Sequence, residues 1–132
     1  MTRSLVMERK LDHSPQKVWR ALTDPVLLSE WLMSNDFKPE IGHKFQFRAK
    51  PVAHWDGIVN CEVLVLEPLR TLSYSWMHWT VTFTLTPTDG GVLLRMEQTG
   101  FGDDDKQAYG GAQYGWNSFL GNLERVLGTL EG

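Results

Sequence analysis

The stretch Trp79-Thr80-Val81-Thr82-Phe83-Thr84-Leu85-Thr86-Pro87-Thr88-Asp89-Gly90-Gly91-Val92-Leu93-Leu94-Arg95-Met96-Glu97-Gln98 decides the architecture of this chain. Its first half alternates large apolar residues (Trp79, Val81, Phe83, Leu85) with threonines, the period of a half-buried strand. β-branched and aromatic residues suit such a pleated surface. Asp89-Gly90-Gly91 is a hairpin turn signal. The second half alternates again, Val92, Leu94, Met96 and Gln98 against Leu93, Arg95, Glu97 and Thr99. Two antiparallel strands with one apolar face follow, and that face needs a cover.

Toward the N-terminus, further strands precede the hairpin. Arg70 to Met77 places Leu72, Tyr74 and Trp76 on one face. Ile58 to Leu66 is apolar at nearly every position, which predicts burial on both faces for part of its length. Phe45, Phe47 and Ala49 alternate with Lys44, Gln46, Arg48 and Lys50, beyond the turn-rich interval Pro51 to Gly57. Asn35 to Gly42 reads as a polar connection. Ser14-Pro15 and Asp24-Pro25 are paired helix starts, a capping side chain followed by proline at the first helical position. Val18, Trp19 and Leu22, then Leu27, Leu28, Trp31 and Leu32, mark two short helices in series. Thr2 to Asp12 reads as a first strand.

In the other direction, Gly100 to Asp105 reads as a loop, with Asp104 and Gln107 at capping-box spacing. Ala112, Trp116, Phe119, Leu120, Leu123, Val126, Leu127 and Leu130 then recur at helical spacing. A helix over 105–130 would be on the order of 38 Å long. It is the only element large enough to cover the sheet. The expected fold is α+β: a curved antiparallel sheet gripping one long C-terminal helix, with two short helices after the first strand. No linker or repeat appears, so residues 1–132 are expected to form one domain.

Composition removes several function classes. With 132 residues, 13 Lys and Arg and 16 Asp and Glu, the net charge is −3. That balance argues against binding nucleic acid through phosphate contacts. A single cysteine, Cys61, rules out an intramolecular disulfide and a cysteine-based zinc cluster, and it fits a reducing compartment. No run of 18 apolar residues and no signal-peptide core is present, so a cytoplasmic location without a membrane segment is expected. The histidines show no helical His-x-x-x-His pair, so neither a metal nor another cofactor is expected.

The outlier is six tryptophans: Trp19, Trp31, Trp55, Trp76, Trp79 and Trp116. Such rings bury large areas, and each indole N–H wants a partner. They either fill an aromatic core or line a cavity.

The run Asp12-His13-Ser14-Pro15-Gln16-Lys17-Val18-Trp19-Arg20-Ala21-Leu22-Thr23-Asp24-Pro25, with Trp31 beyond it, resembles the opening of the activator of heat-shock-protein-90 ATPase homologue family. Gly42 to Phe47, Gly57 to Leu72, Tyr74 to Trp76, Thr82 to Leu94 and Gly115-Trp116 resemble its later segments in order. That family lies within the START-like, Bet v 1-like (SRPBCC) superfamily. The resemblance implies a helix-grip fold with a cavity between sheet and long helix. It implies less about activity, since co-chaperone domains, small-molecule resistance proteins, cyclases and lipid carriers share the fold.

Strand parity and the helix face select the candidate ligand-contacting residues: Phe45, Phe47, Tyr74, Trp76, Trp79, Phe83 and Met96 from the strands, and Trp116 and Phe119 from the helix. Trp31 and Met33 are placed near the mouth, and Trp55 in a loop that covers an opening. The competing reading is that these side chains only fill the core.

Three functions compete. The first is non-catalytic binding of an apolar or aromatic small molecule. The second is co-chaperone-like contact with a heat-shock ATPase, and the third is a cyclase- or hydrolase-like enzyme in the same cavity. Catalytic candidates are sparse. His54 and Asp56 flank Trp55 with nothing to orient them, His78 lies at a strand bend, and Tyr74 brings one hydroxyl. Asp103-Asp104-Asp105 reads as a solvated loop and helix cap rather than a cation site. Cys61 reads as a small buried hydrophobe. The second helix or an edge strand offers a surface for a homodimer.

Overall fold

The quoted stretch forms a tight hairpin in the computed structural model, which describes residues 3–53 and 55–130. Strands Trp79–Thr88 and Gly91–Phe101 pair from Thr88↔Gly91 onward. Asp89 and Gly90 are therefore the whole turn, and Gly90 takes φ +82°, where a side chain is strained. The next glycine is needed for a different reason, because a Cβ at Gly91 would collide with the carbonyl oxygen of Leu11. Val81, Phe83, Leu85, Val92, Leu94 and Met96 all point to the buried face, as the alternation predicts.

In chain order the elements are β1 (Arg3–Leu11), α1 (Pro15–Thr23), α2 (Pro25–Trp31), β2 (Ser34–Asn35), β3 (Lys44–Arg48), β4 (Ile58–Glu67), β5 (Thr71–Trp76), β6 (Trp79–Thr88), β7 (Gly91–Phe101) and α3 (Lys106–Thr129). The sheet order is β1-β7-β6-β5-β4-β3-β2 with every pairing antiparallel. The chain leaves β1 at one edge, crosses through α1 and α2 to β2 at the other edge, and meanders back until β7 pairs with β1. The seven strands curve around α3, the α+β helix-grip arrangement.

The two short helices start as their sequence predicts. Ser14 Oγ accepts from the Lys17 amide at 3.2 Å, and Asp24 Oδ1 accepts from the Val26 amide at 2.9 Å. Asp24 also donates its own amide to the Arg20 carbonyl, so one residue closes α1 and opens α2. Their inner sides, Val18, Ala21, Leu22 and Leu28, are sealed from solvent together with Leu72, Leu123 and Leu127. Each buried Leu or Phe side chain stabilises by roughly 1.5–3 kcal/mol relative to exposure.

Four local expectations are corrected. Ser34 and Asn35 form a short edge strand on β3, so Asn35 belongs to that strand instead of to the polar connection. β4 is not buried on both faces: Leu64 and Val65 are 43% and 36% exposed, because α3 covers one face and a register shift falls between Val63 and Val65. β7 continues through Phe101 rather than stopping before Gly100, since Phe101 packs between Trp79 and Tyr109. Asp104 and Gln107 make no capping box. Asp105 holds the cap position and spends its carboxylate on the Gly102 amide at 2.8 Å. Among the described residues no helix is long and apolar enough to cross a membrane.

Candidate functional site: a neutral cavity under the first half of α3

The inward stripe of α3 changes size along its length. From Trp116 onward it carries Leu120, Leu123, Val126 and Leu127, all buried. Before Trp116 the same stripe carries Ala108, Gly111, Ala112 and Gly115. Close packing of the interval between helix and sheet needs side chains large enough to span it. Small residues leave it open, and a cavity of about 400 Å³ lies between them and the sheet. A Cβ at Gly111 would meet nothing within 4 Å, and one at Gly115 only the Phe119 ring at 3.8 Å.

The opposite wall comes from the sheet and its loops. β5 and β6 supply Trp76 and Trp79, their connecting turn supplies Met77, β4 supplies Val59 and β7 supplies Gln98. Met33, beyond α2, and Trp55, from the β3–β4 loop, complete it. Rings form the inner end: Trp116 packs on Trp76 at 5.2 Å and edge-on to Phe119 at 5.5 Å. No side chain in the lining carries a charge or titrates near neutral pH. A groove along Trp55, Asp104, Asp105, Gln107, Ala108 and Gly111 adjoins the mouth.

Polar atoms in the wall are few. Trp116 Nε1 donates to Gln98 Oε1 at 2.7 Å, deep inside, where Gln98 is 2% exposed. Trp55 Nε1 donates to the Ile58 carbonyl at 3.2 Å and ties its loop to the start of β4. Trp79 Nε1 is buried without a hydrogen-bond partner.

Six of the twelve sequence candidates border the cavity: Met33, Trp55, Trp76, Trp79, Trp116 and Phe119. The other six lie in the packed interior. Trp31 is not at the mouth; it is 1% exposed, donates Nε1 to the Ala21 carbonyl at 2.8 Å and stands edge-on to Phe83. Its indole N–H finds a carbonyl ten residues back, which draws the ring inward. Phe45, Phe47 and Tyr74 form an interlocked cluster with centroids 5.3–5.8 Å apart, and Met96 is fully buried across from Phe83. The Tyr74 hydroxyl has no partner there, and burial raises its pKa well above the ordinary value. Val59, Met77, Gln98, Ala108, Gly111, Ala112 and Gly115 are absent from the sequence candidates, although Gln98 continues the inward parity of its strand and the spacing 108, 111, 112, 115 continues the helix stripe.

The remaining chemical candidates stand apart. His54 lies outside the described residues; Asp56 Oδ1 accepts from the Ile58 amide at 3.0 Å. His78 sits in the two-residue Met77-His78 turn rather than a bend, its ring 3.8 Å from that of Trp79. Burial pushes the Cys61 thiol up to about 12, which leaves it protonated and inert. Among the described residues no cluster of His, Cys, Asp or Glu is arranged to hold a metal ion.

Solved structures with the same architecture are numerous. The chain aligns over 98% of its length with all of MLL2253 from Mesorhizobium loti, at 49% identity and a TM-score of 0.89. It aligns over 96% of its length with 99% of BH1534 from Bacillus halodurans, at 25% identity and a TM-score of 0.83. SSP2350 from Staphylococcus saprophyticus, at 18% identity, shares the fold over 96% of this chain and 93% of its own, with a TM-score of 0.81. Among curated proteins none gives a significant match. A sequence profile covers residues 12–128, and by that match the chain belongs to the Activator of Hsp90 ATPase homolog 1-like protein family.

Proposed function

We propose that this protein binds an apolar small molecule in the cavity between the sheet and α3, without transforming it. One observation carries the reading: a cavity of about 400 Å³ whose lining contains no Asp, Glu, His, Lys, Arg, Ser or Thr. Ligand pockets typically start near 300 Å³ and are mostly apolar with a few polar groups. General acid–base catalysis needs a titratable side chain within hydrogen-bond reach of the substrate. This wall supplies none, which favours holding over turnover. The membership of a family and superfamily in which apolar ligands are common supports the same reading.

The ligand contacts belong to Met33, Trp55, Trp76, Trp79, Trp116 and Phe119. Trp and Phe faces give large contact area at small entropic cost. Met33 and Met77 adapt to the shape of the guest. The test is a thermal-shift screen with lipids, polyketides and flavonoids on the wild type and on Gly115→Leu, which fills the space from the helix side. A ligand at about a hundred times its Kd stabilises by ~2.7 kcal/mol, a rise of several degrees for a domain of this size. The wild type is expected to respond and Gly115→Leu to stay flat. No response in any class, or an equal response from the filled variant, contradicts the proposal.

A further inference from the structure

The indole and amide groups of the wall are unequally spent. Trp116 Nε1–H can only donate, so the Gln98 atom facing it at 2.7 Å is the carbonyl oxygen. The Gln98 amide NH₂ therefore has no hydrogen-bond partner among the described residues. Trp55 Nε1–H is used by the Ile58 carbonyl. Trp79 Nε1–H is buried and unpartnered. Two donors are spare on side chains that line the cavity, and the one strong side-chain acceptor, Gln98 Oε1, is taken. The lining also lacks a cation to pair with an anion, and Asp104 and Asp105 stand on the groove beside the mouth.

We infer that the cavity selects uncharged molecules bearing a hydrogen-bond acceptor, such as a ketone, ester or lactone oxygen, on an apolar body, with the Gln98 amide as the donor that recognises it. This rests on the cavity being a ligand site. An acceptor oxygen satisfies a buried donor that an apolar guest leaves unmade. A guest that only donates meets no free acceptor. A carboxylate loses its hydration and gains no countercharge.

Three probes with one bicyclic body separate these cases: acetylnaphthalene, ethylnaphthalene and naphthoate. Their affinities are measured by calorimetry and tryptophan quenching on the wild type and on Gln98→Met, which keeps length and removes the donor, combined with Trp116→Phe. The wild type is expected to bind acetylnaphthalene about tenfold more tightly than ethylnaphthalene, the worth of one good hydrogen bond, and naphthoate most weakly. In Gln98→Met combined with Trp116→Phe, which removes the indole N–H that the first substitution leaves without an acceptor, the first two are expected to bind within about twofold of each other, since Trp79 Nε1–H is sealed inside the wall. Equal wild-type binding of acetyl- and ethylnaphthalene overturns the inference and leaves the ligand site standing. A preference that survives in this double variant overturns the role of Gln98. Absence of binding by all three overturns the ligand site itself, and the inference with it. The wild-type series decides the matter even where the double variant fails to fold, and its melting curve reports that.

Discussion

The two halves of α3 run along the same sheet and continue the same inward stripe, yet one half seals a core and the other roofs a cavity. In the C-terminal half the stripe is Leu120, Leu123, Val126 and Leu127, buried to between 0% and 3% exposure, and Trp116 stands at the boundary against the cavity. In the N-terminal half the stripe is Ala108, Gly111, Ala112 and Gly115, bordering about 400 Å³ of space. Backbone geometry is shared, so side-chain volume alone makes the difference. Stability is concentrated where volume is high, and the space proposed for a ligand lies where it is withheld.

Moving volume between the halves separates them most strongly. Leu123→Ala removes a fully buried side chain and is expected to cost ~3 kcal/mol in urea unfolding, with a cavity left behind. A cost below about 1 kcal/mol would mean that the C-terminal half is not close-packed. Alkali is a second probe. Cys61, in the filled region, keeps its proton from the usual 9.0 up to about 12 because it is desolvated, and buried Tyr74 is raised for the same reason. The unfolded chain releases those protons first. Stability present below the unfolded pKa is therefore lost as pH climbs from about 9 toward 12, by about 1.4 kcal/mol per pH unit for each group that the unfolded chain has released. Cys61→Val is expected to flatten the first part of that decline, and an unchanged slope would place the titration elsewhere. The cavity holds no such group, so affinity for an uncharged ligand is expected to stay level from neutral pH up to that point.

The smallest expected effect has the opposite sign. Gly111→Ala meets open space and restores helix propensity, so it is expected to raise stability by about 0.5–1 kcal/mol. Leu123→Ala and Gly111→Ala would then move the melting temperature in opposite directions, although both concern the same face of one helix. A loss on Gly111→Ala would show that the roof is packed after all.

These contrasts also explain what was legible in the sequence. The hairpin around Asp89-Gly90, the paired caps at Ser14 and Asp24 and the stripe from Trp116 to Leu127 announce themselves through local rules, and the structure follows them. Parity identifies which side chains face inward. It is blind to depth along the strand, so Phe47 and Tyr74, which fill the core, look the same as Trp76 and Trp79, which border the cavity. Trp31 is misplaced by sequence reasoning because its position depends on a hydrogen bond to Ala21, a pairing that no periodicity encodes. The cavity itself is marked by what is missing. Ala108, Ala112 and Gly115 are half-buried positions without volume, Gly111 borders the same space from the exposed side, and a search for large candidates passes over them.

Chemical-shift mapping with acetylnaphthalene reads both halves of α3 in one experiment. Amide and indole resonances of Gly111, Ala112, Gly115, Trp79 and Trp116 are expected to move, while those of Leu123, Val126 and Leu127 stay in place. Shifts centred on the C-terminal half, or no shifts at saturating ligand, would contradict the account.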